Sequence, residues 1–283
     1  MRIYRFWQQR KEEINGTTIF FKAGSNESEA HADSIIDRKI EYYRMWQSGE
    51  DVPEETIREM DAFFAEKKEN LEYEVPVCEE WVEALDEHNV VTRNRYGALV
   101  LNSEDHTFLD IDDVPPTLGE RISALFGGKI RSKEERILDM VDKVFQSHAE
   151  LSKSGARVYA TAKGVRILLS LSMYPAYSYA VQRLMYHFHV DKLYATLCAR
   201  QNCYRARLTP KPARIAMRTA LKFKFPYDTE REMERSLWLA EYDGKSMDYA
   251  VCRLIRTYGP DFSSPVTEYH DRICKVDSDL PLA

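Results

Sequence analysis

The sequence predicts an α/β (α+β) fold in which a mixed sheet is covered by helices. Short apolar runs of strand length, such as YGALVLN and TFLDIDDV, alternate with segments whose apolar residues recur at helical spacing. Several strand-like runs are separated by only a few turn residues, which is typical of hairpins. The chain has 283 residues, 44% of them hydrophobic, which is enough to bury a substantial core.

The first 90 residues are predicted to form an acidic accessory region. Two apolar-rich runs flank Asn15-Gly16, a pair that favours a type I′ hairpin. Acidic helices with one apolar face are expected next. These three helices cover residues 25–50, 53–70 and 78–89. We therefore divide the chain into residues 1–90, the accessory region, and 91–283, an α/β core with C-terminal helices.

The core region is predicted to start with two strands, 96–102 and 107–114, joined as a hairpin. A helix follows from Ser132, with Glu135 as the partner in a capping box. Two strands then surround Lys163-Gly164. The remaining predicted elements are a strand at 203–208, helices at 176–190, 191–201, 229–244 and 264–274, and a strand or helix at 248–259.

Composition and patterning favour a cytoplasmic protein that does not enter a membrane. The sequence contains no run of 18 apolar residues, so we expect no transmembrane helix. Its first residues lack the apolar stretch of a signal peptide. The five cysteines are widely spaced and do not suggest a disulfide framework.

The net charge of −6 conceals a strong segregation of charge. Residues 151–227 contain fourteen Lys and Arg residues and a single acid, Asp191, giving that segment a charge of +13 and the rest of the chain −19. Such a segment favours a partner that carries phosphates. The alternative is that the basic segment packs against the acidic one.

The first candidate site is the pair Asp110 and Asp112. In a strand, residues two apart point to the same face, and neighbouring carboxylates repel unless a cation lies between them. Carboxylate oxygens are the ligands that Mg²⁺ and Mn²⁺ prefer, and such ions support phosphoryl transfer. Asp113 points the other way and is predicted to be a turn residue. The alternative is a strand that ends in solvent.

The second candidate site is the hairpin tip at Lys163-Gly164. Glycine would allow the backbone to approach a phosphate, while Lys163 and Arg166 would supply positive charge. An ordinary basic hairpin is the alternative.

The third candidate site is QNCYRARLTPKPARI. Arg205 and Arg207 share one face of the predicted strand, and Lys211 and Arg214 follow on a loop stiffened by prolines. Four cations on a rigid support suit a triphosphate or a nucleic-acid backbone. No acid lies within ten residues of either strand arginine. A polar surface strand is the alternative.

Other potential ligand residues match no standard spacing. His187, His189, Cys198 and Cys203 could bind zinc, but their spacing predicts core residues instead. His270-Asp271 suits an HD-type phosphohydrolase, yet the scattered histidines provide no matching partners.

The order of the motifs FLDID, TAKGVRILL and QNCYRARLTPKP resembles the archaeo-eukaryotic primase superfamily over about residues 97–215. The resemblance implies a core partly like an RNA-recognition module and template-directed nucleotidyl transfer with divalent metals. It matches Asp110 and Asp112 to the metal ligands and Asp191 to a third acid. Arg205, Arg207 and Lys211 match the basic strand that holds the incoming nucleotide. Arg166, or residues 161–164, lies where that family usually has a histidine. The whole chain also resembles a bacterial protein family of unassigned function, through stretches such as NVVTRNRYGALVLN and QNCYRARLTPKP.

Together these observations predict a nucleotidyltransferase that uses Mg²⁺ or Mn²⁺, nucleoside triphosphates and nucleic acid. The alternatives are a catalytically inactive nucleic-acid-binding module with the same fold and a metal-dependent nuclease. A single cleft shared by Asp110 and Asp112 with Arg205 and Arg207 would make such a site credible, whereas opposite surfaces would exclude the primase-like interpretation.

Overall fold

The computed structural model describes residues 1–49, 74–148, 151, 154–170, 175–227 and 229–283. Over this part of the chain, ten strands form three antiparallel sheets, and seven α-helices accompany them. The predicted α+β class is therefore confirmed. None of the described helices is long and apolar enough to cross a membrane.

The N-terminal hairpin forms as its turn residues predict. Strands β1 (Phe6–Ile14) and β2 (Thr17–Ser25) pair through Asn15 and Gly16, which both have positive φ angles of 51° and 74°. Helix α1 (Glu29–Ser48) packs on this hairpin, begins at the cap Ser28 and ends at Gly49. The next predicted helix, 53–70, lies outside the described residues.

The predicted helix at 78–89 is wrong, because this segment forms β3 (Glu80–Ala84) and the start of β4 (Asn89–Arg93). Its acids were expected to lie on the solvated face of a helix. They pair instead with distant arginines, such as Glu79 with Arg205. The predicted domain boundary at residue 90 falls within β4, which pairs with strands on both sides of it.

The larger part of the chain contains two four-stranded sheets. The first has the order β3-β4-β5-β9, with β5 at Leu99–Ser103 and β9 at Tyr204–Arg207. The second has the order β10-β7-β8-β6. Its strands are β6 (Thr107–Ile111), β7 (Ala156–Thr161), β8 (Val165–Leu169) and β10 (Cys252–Tyr258).

The predicted hairpin between β5 and β6 is also wrong, since the two strands belong to different sheets. The connection is a tight turn in which the Ser103 hydroxyl donates to Asp105 and accepts from the His106 backbone N–H. This turn sends the chain from one sheet into the other instead of folding it back.

Six further helices accompany the two sheets. They are α2 (Leu118–Leu125), α3 (Lys133–Ser147), α4 (Tyr179–His187), α5 (Lys192–Gln201), α6 (Glu232–Ser246) and α7 (Pro265–Cys274). The capping box of Ser132 and Glu135 at α3 is confirmed, whereas α2 was not predicted. The main core contains residues of both sheets and of α3, α4, α5 and α7.

The edge strands β6 and β9 of the two sheets lie side by side, and Tyr194 of α5 links them. Its hydroxyl donates to the Phe108 carbonyl of β6 at 2.7 Å and accepts from the Arg205 N–H of β9 at 3.3 Å. One side chain thus satisfies backbone groups on two strand edges, which would otherwise be buried without partners.

We expect Tyr194→Phe to lower the free energy of unfolding by about 1–3 kcal/mol, because a buried acceptor and a buried donor lose their partner. Urea or guanidinium unfolding measures the change. Tyr186→Phe is the matched control, since that side chain is exposed on α4. Equal stabilities of the two variants would contradict the linking role of Tyr194.

Candidate functional site

The guanidinium group of Arg166 occupies the centre of the β6–β9 junction. Arg166 lies on β8 directly across from Asp110 on β6, and only 1% of its side chain is exposed. Nε donates to Asp110 Oδ1 at 2.9 Å and Nη2 donates to Oδ2 at 3.4 Å. Nη1 donates to the Arg207 carbonyl of β9 at 2.9 Å. Burial disfavours the charge of Arg166 and the Asp110 carboxylate favours it, and the pKa of Arg166 is raised overall.

The three aspartates of FLDIDD have separate environments. Asp110 pairs with Arg166 yet keeps 34% of its side chain exposed. Asp112 is exposed just beyond the end of β6 and makes no hydrogen bond or ion pair within the described part of the chain. Asp113 pairs with Arg136 of α3 at 3.3 Å. Among the described residues, Asp112 is therefore the carboxylate of the three without an ion-pair partner, while Asp110 and Asp113 each have one and remain partly exposed.

The hairpin tip positions Asp112 by direct backbone contact. A Cβ atom on Gly164 would lie 2.0 Å from the Ile111 carbonyl oxygen and 3.0 Å from Asp112 Cα. Only glycine permits this approach, so its role is to pack against the end of β6, in addition to any approach to phosphate. The side chain of Lys163 is exposed at the tip.

Three cations gather next to these aspartates. Arg207, Lys211 and Arg214 have no acidic ion-pair partner among the described residues, and Arg207 donates only to the Thr209 carbonyl, at 3.1 Å. The pKa of Arg207 is lowered to about 10 by burial and by the positive charges of Arg166 and Arg214. The negative charge of Asp110 acts in the opposite direction and limits this decrease. We call Asp110, Asp112, Arg207, Lys211 and Arg214 the β6–β9 site.

Electrostatic effects connect the loop cations to Asp112. Burial lowers the pKa of Lys211, as do the neighbouring charges of Arg207 and Arg214, while Asp112 acts in the opposite direction. Burial also lowers the pKa of Arg214, again opposed by Asp112 and Asp110. In addition, the buried Nη1 of Arg214 has no hydrogen-bond partner. The β6–β9 site therefore has unsatisfied donors and more positive than negative charge.

Arg205 is not part of this cation cluster. Its Nη2 donates to Glu79 Oε2 at 2.6 Å, and its Nη1 donates to Gln201 Oε1 at 3.0 Å. Although no acid lies near Arg205 in the sequence, Glu79 neutralises it from a segment 126 residues earlier. Local sequence cannot reveal this pair, because the acid and the arginine lie far apart along the chain.

Asp191 caps helix α5. Its Oδ1 accepts the Tyr194 N–H at 2.9 Å, and its own backbone N–H donates to the Asp110 carbonyl at 3.3 Å. The chain thus brings the backbone of Asp191 next to β6, with the side chain exposed.

A second layer behind Arg166 contains residues that sequence reasoning did not connect to the site. Nε2 of His270 lies 3.3 Å from Arg166 Nη1, and Nδ1 lies 2.8 Å from Asp271 Oδ1. Asp271 also pairs with Arg157 at 2.8 Å. The adjacent His270 and Asp271 were the available signal, but their arginine partner is 104 residues away.

The fold thus brings Arg207, Lys211 and Arg214, which have no acidic ion-pair partner among the described residues, next to the carboxylates of Asp110 and Asp112. Comparisons of the chain with models of known families, with curated proteins and with solved structures found no match.

We expect Asp110→Asn to destabilise the fold by about 3–5 kcal/mol, because it leaves the buried charge of Arg166 without its carboxylate partner. Denaturant unfolding measures this loss. Asp113→Asn is the control, since its pair with Arg136 lies at the surface and contributes about 1 kcal/mol or less. Losses of similar size would show that Asp110 does not stabilise the buried charge.

Gly164→Ala is expected to cost about 1–3 kcal/mol, since the added methyl group collides with the backbone of Ile111 and Asp112. In the control Gly244→Ala on helix α6, a Cβ meets no atom within 4 Å. That change should be neutral or slightly stabilising, because alanine is the better helix former. The measurement is thermal or denaturant unfolding, and an unchanged Gly164→Ala protein would refute the close contact.

Proposed function

We propose that the chain is a metal-dependent nucleotidyltransferase that acts on nucleic acid and uses nucleoside triphosphates. The observation that carries this proposal is the position of Asp110 and Asp112 beside three cations that lack acidic partners. Carboxylates next to cations that lack acidic partners suit a ligand that consists of phosphates and a divalent cation.

The charge balance of the β6–β9 site supports a polyphosphate ligand. Asp110 and Arg166 form a pair with no net charge, which leaves Arg207, Lys211 and Arg214 against Asp112 alone. Partial burial strengthens the attraction of these cations to an anion, because less water competes for it. The unpartnered Nη1 of Arg214 would gain an acceptor from a phosphate oxygen.

The donor set fits Mg²⁺ or Mn²⁺, since both ions prefer oxygen ligands and Mg²⁺ retains several water molecules. Asp110 and Asp112 would hold the ion, and Asp191 is the candidate third ligand because its Oδ2 is not used in capping α5. A bound ion would neutralise phosphate charge and favour deprotonation of the attacking hydroxyl. Arg166 would orient Asp110, while Arg207, Lys211 and Arg214 would bind and align the phosphates. We also place the protein in the cytoplasm, a reducing compartment, because its five widely spaced cysteines do not suggest a disulfide framework.

A catalytically inactive nucleic-acid-binding module is the second candidate, and one observation favours it. Arg166 occupies one lone-pair position on each oxygen of Asp110 and offsets its charge. This pairing reduces the negative charge available to a metal, while the cations needed to bind phosphate remain.

The test is incubation of the protein with Mn²⁺, labelled nucleotides and a single-stranded template. We expect extended product from the wild type and a decrease on the order of 100-fold for Asp112→Asn, which removes a free carboxylate at the point where charge must be stabilised. Asp112 is a better choice than Asp110 because no buried charge depends on it. Asp113→Asn, with the same chemistry one residue away, should retain activity.

The outcome separates the candidate functions. Salt-dependent binding of the template without product would select the inactive module. Metal-dependent shortening of the template would select the nuclease. If Asp112→Asn is as active as the wild type, the proposed Mg²⁺ or Mn²⁺ site at Asp110 and Asp112 is excluded.

Lys211→Ala should weaken the binding of single-stranded nucleic acid or nucleotide. The negative slope of log affinity against log salt should decrease in magnitude by about 1, as expected for one lost phosphate contact. Fluorescence anisotropy at several salt concentrations measures the slope. Lys245→Ala is the control, because that lysine pairs with Glu241 on helix α6. An unchanged slope for Lys211→Ala would remove Lys211 from the phosphate-binding group.

A further inference from the structure

Three buried side chains with zinc-type ligand atoms meet behind Arg166. Cys252 begins strand β10, while His270 and Cys274 lie four residues apart on one face of helix α7. One ligand atom of each residue lies within 4.8 Å of the other two, and all three residues are 0% exposed. This group is separate from the carboxylates of the β6–β9 site.

We propose that Cys252, His270 and Cys274 form a buried binding site for a thiophilic divalent ion, with zinc as the expected metal. Two thiolates and one imidazole are a ligand set that zinc prefers. With a Zn–S bond of about 2.3 Å and tetrahedral angles, ligand atoms lie roughly 3.5–3.8 Å apart. Since the ligand atoms lie within 4.8 Å of one another, the cluster would contract by roughly 1 Å or less to reach these separations. The site does not depend on the proposed nucleotidyl transfer.

The surroundings of His270 match those of a metal-binding imidazole. Nδ1 lies 2.8 Å from Asp271 Oδ1, and Arg157 fixes that carboxylate from the other side at 2.8 Å. A carboxylate on one ring nitrogen sets the tautomer and leaves the lone pair of the other nitrogen for the metal. In His270 this second nitrogen is Nε2.

The positive charge of Arg166 is compatible with this site. Arg166 Nη1 lies 3.3 Å from Nε2 and can donate to it when no metal is bound. A divalent ion with two thiolates is formally neutral, so the bound cluster brings no extra positive charge next to the guanidinium group. The metal would replace one hydrogen bond, while Arg166 would keep Asp110 and the Arg207 carbonyl as partners.

The experiment measures metal directly. The protein is produced in medium containing zinc or, separately, cobalt, and its metal content is determined by elemental analysis. We expect one ion per chain, and for cobalt a thiolate-to-metal charge-transfer band with the visible absorption of a tetrahedral site. Cys252→Ser and Cys274→Ser should lose both signals. Cys198→Ser should keep them, because Cys198 is an equally buried cysteine outside the cluster.

A second variant separates metal binding from a merely structural role. Asp271→Asn should lower the affinity for Co²⁺ roughly 10–100-fold, because it weakens the hydrogen bond that orients His270. Circular dichroism checks that each variant is folded. If a serine variant does not fold, the metal content and the cobalt spectrum of the wild type test the proposal. Folded wild type without bound zinc or a cobalt–thiolate band would overturn the proposal, as would equal loss of metal in Cys198→Ser.

Discussion

The architecture around the site depends on the burial of one positive charge, that of Arg166. A buried guanidinium group without partners costs several kcal/mol, so each of its three nitrogen atoms needs an acceptor. Asp110 supplies two from β6, the Arg207 carbonyl supplies one from β9, and His270 supplies one from α7. These partners belong to both four-stranded sheets and to the C-terminal helix. The same group therefore fixes how the sheets meet and where the carboxylate of Asp110 points.

This constraint also determines the electrostatics of the β6–β9 site. Because Arg166 offsets the negative charge of Asp110, the site carries more positive than negative charge. Under the proposed function, a divalent ion would then bind best together with a polyphosphate, whose negative charge adds to that of Asp112. Arg207 and Arg214 would serve this step by binding the phosphates first. The pair that stabilises the fold would thus make metal binding depend on the nucleotide.

Local sequence signals predicted the elements whose geometry is decided locally. Asn15-Gly16 specified the first hairpin and Ser132 specified the start of α3, because turn and cap chemistry act over a few residues. The strand pairing of residues 78–89 was missed because Glu79 finds its partner Arg205 in a distant segment. The prediction of a β5–β6 hairpin was wrong for a related reason. The sheet to which a strand belongs depends on partners far along the chain and not only on the adjacent turn.

The same distinction between local and distant partners applies to the residues of the candidate site. Motif order placed Asp110 and Asp112 near Arg207 and Lys211, whereas spacing could not show that His270 reaches Arg166. The H-x3-C arrangement on α7 was the one local sign of the proposed metal site, and its third ligand lies on β10. His270 has a single available lone pair on Nε2, which either accepts from Arg166 or binds the proposed metal. A metal at Cys252 and Cys274 would therefore change the hydrogen bonding of Arg166, the partner of Asp110. In this way the proposed zinc site would be coupled to the proposed nucleotide site.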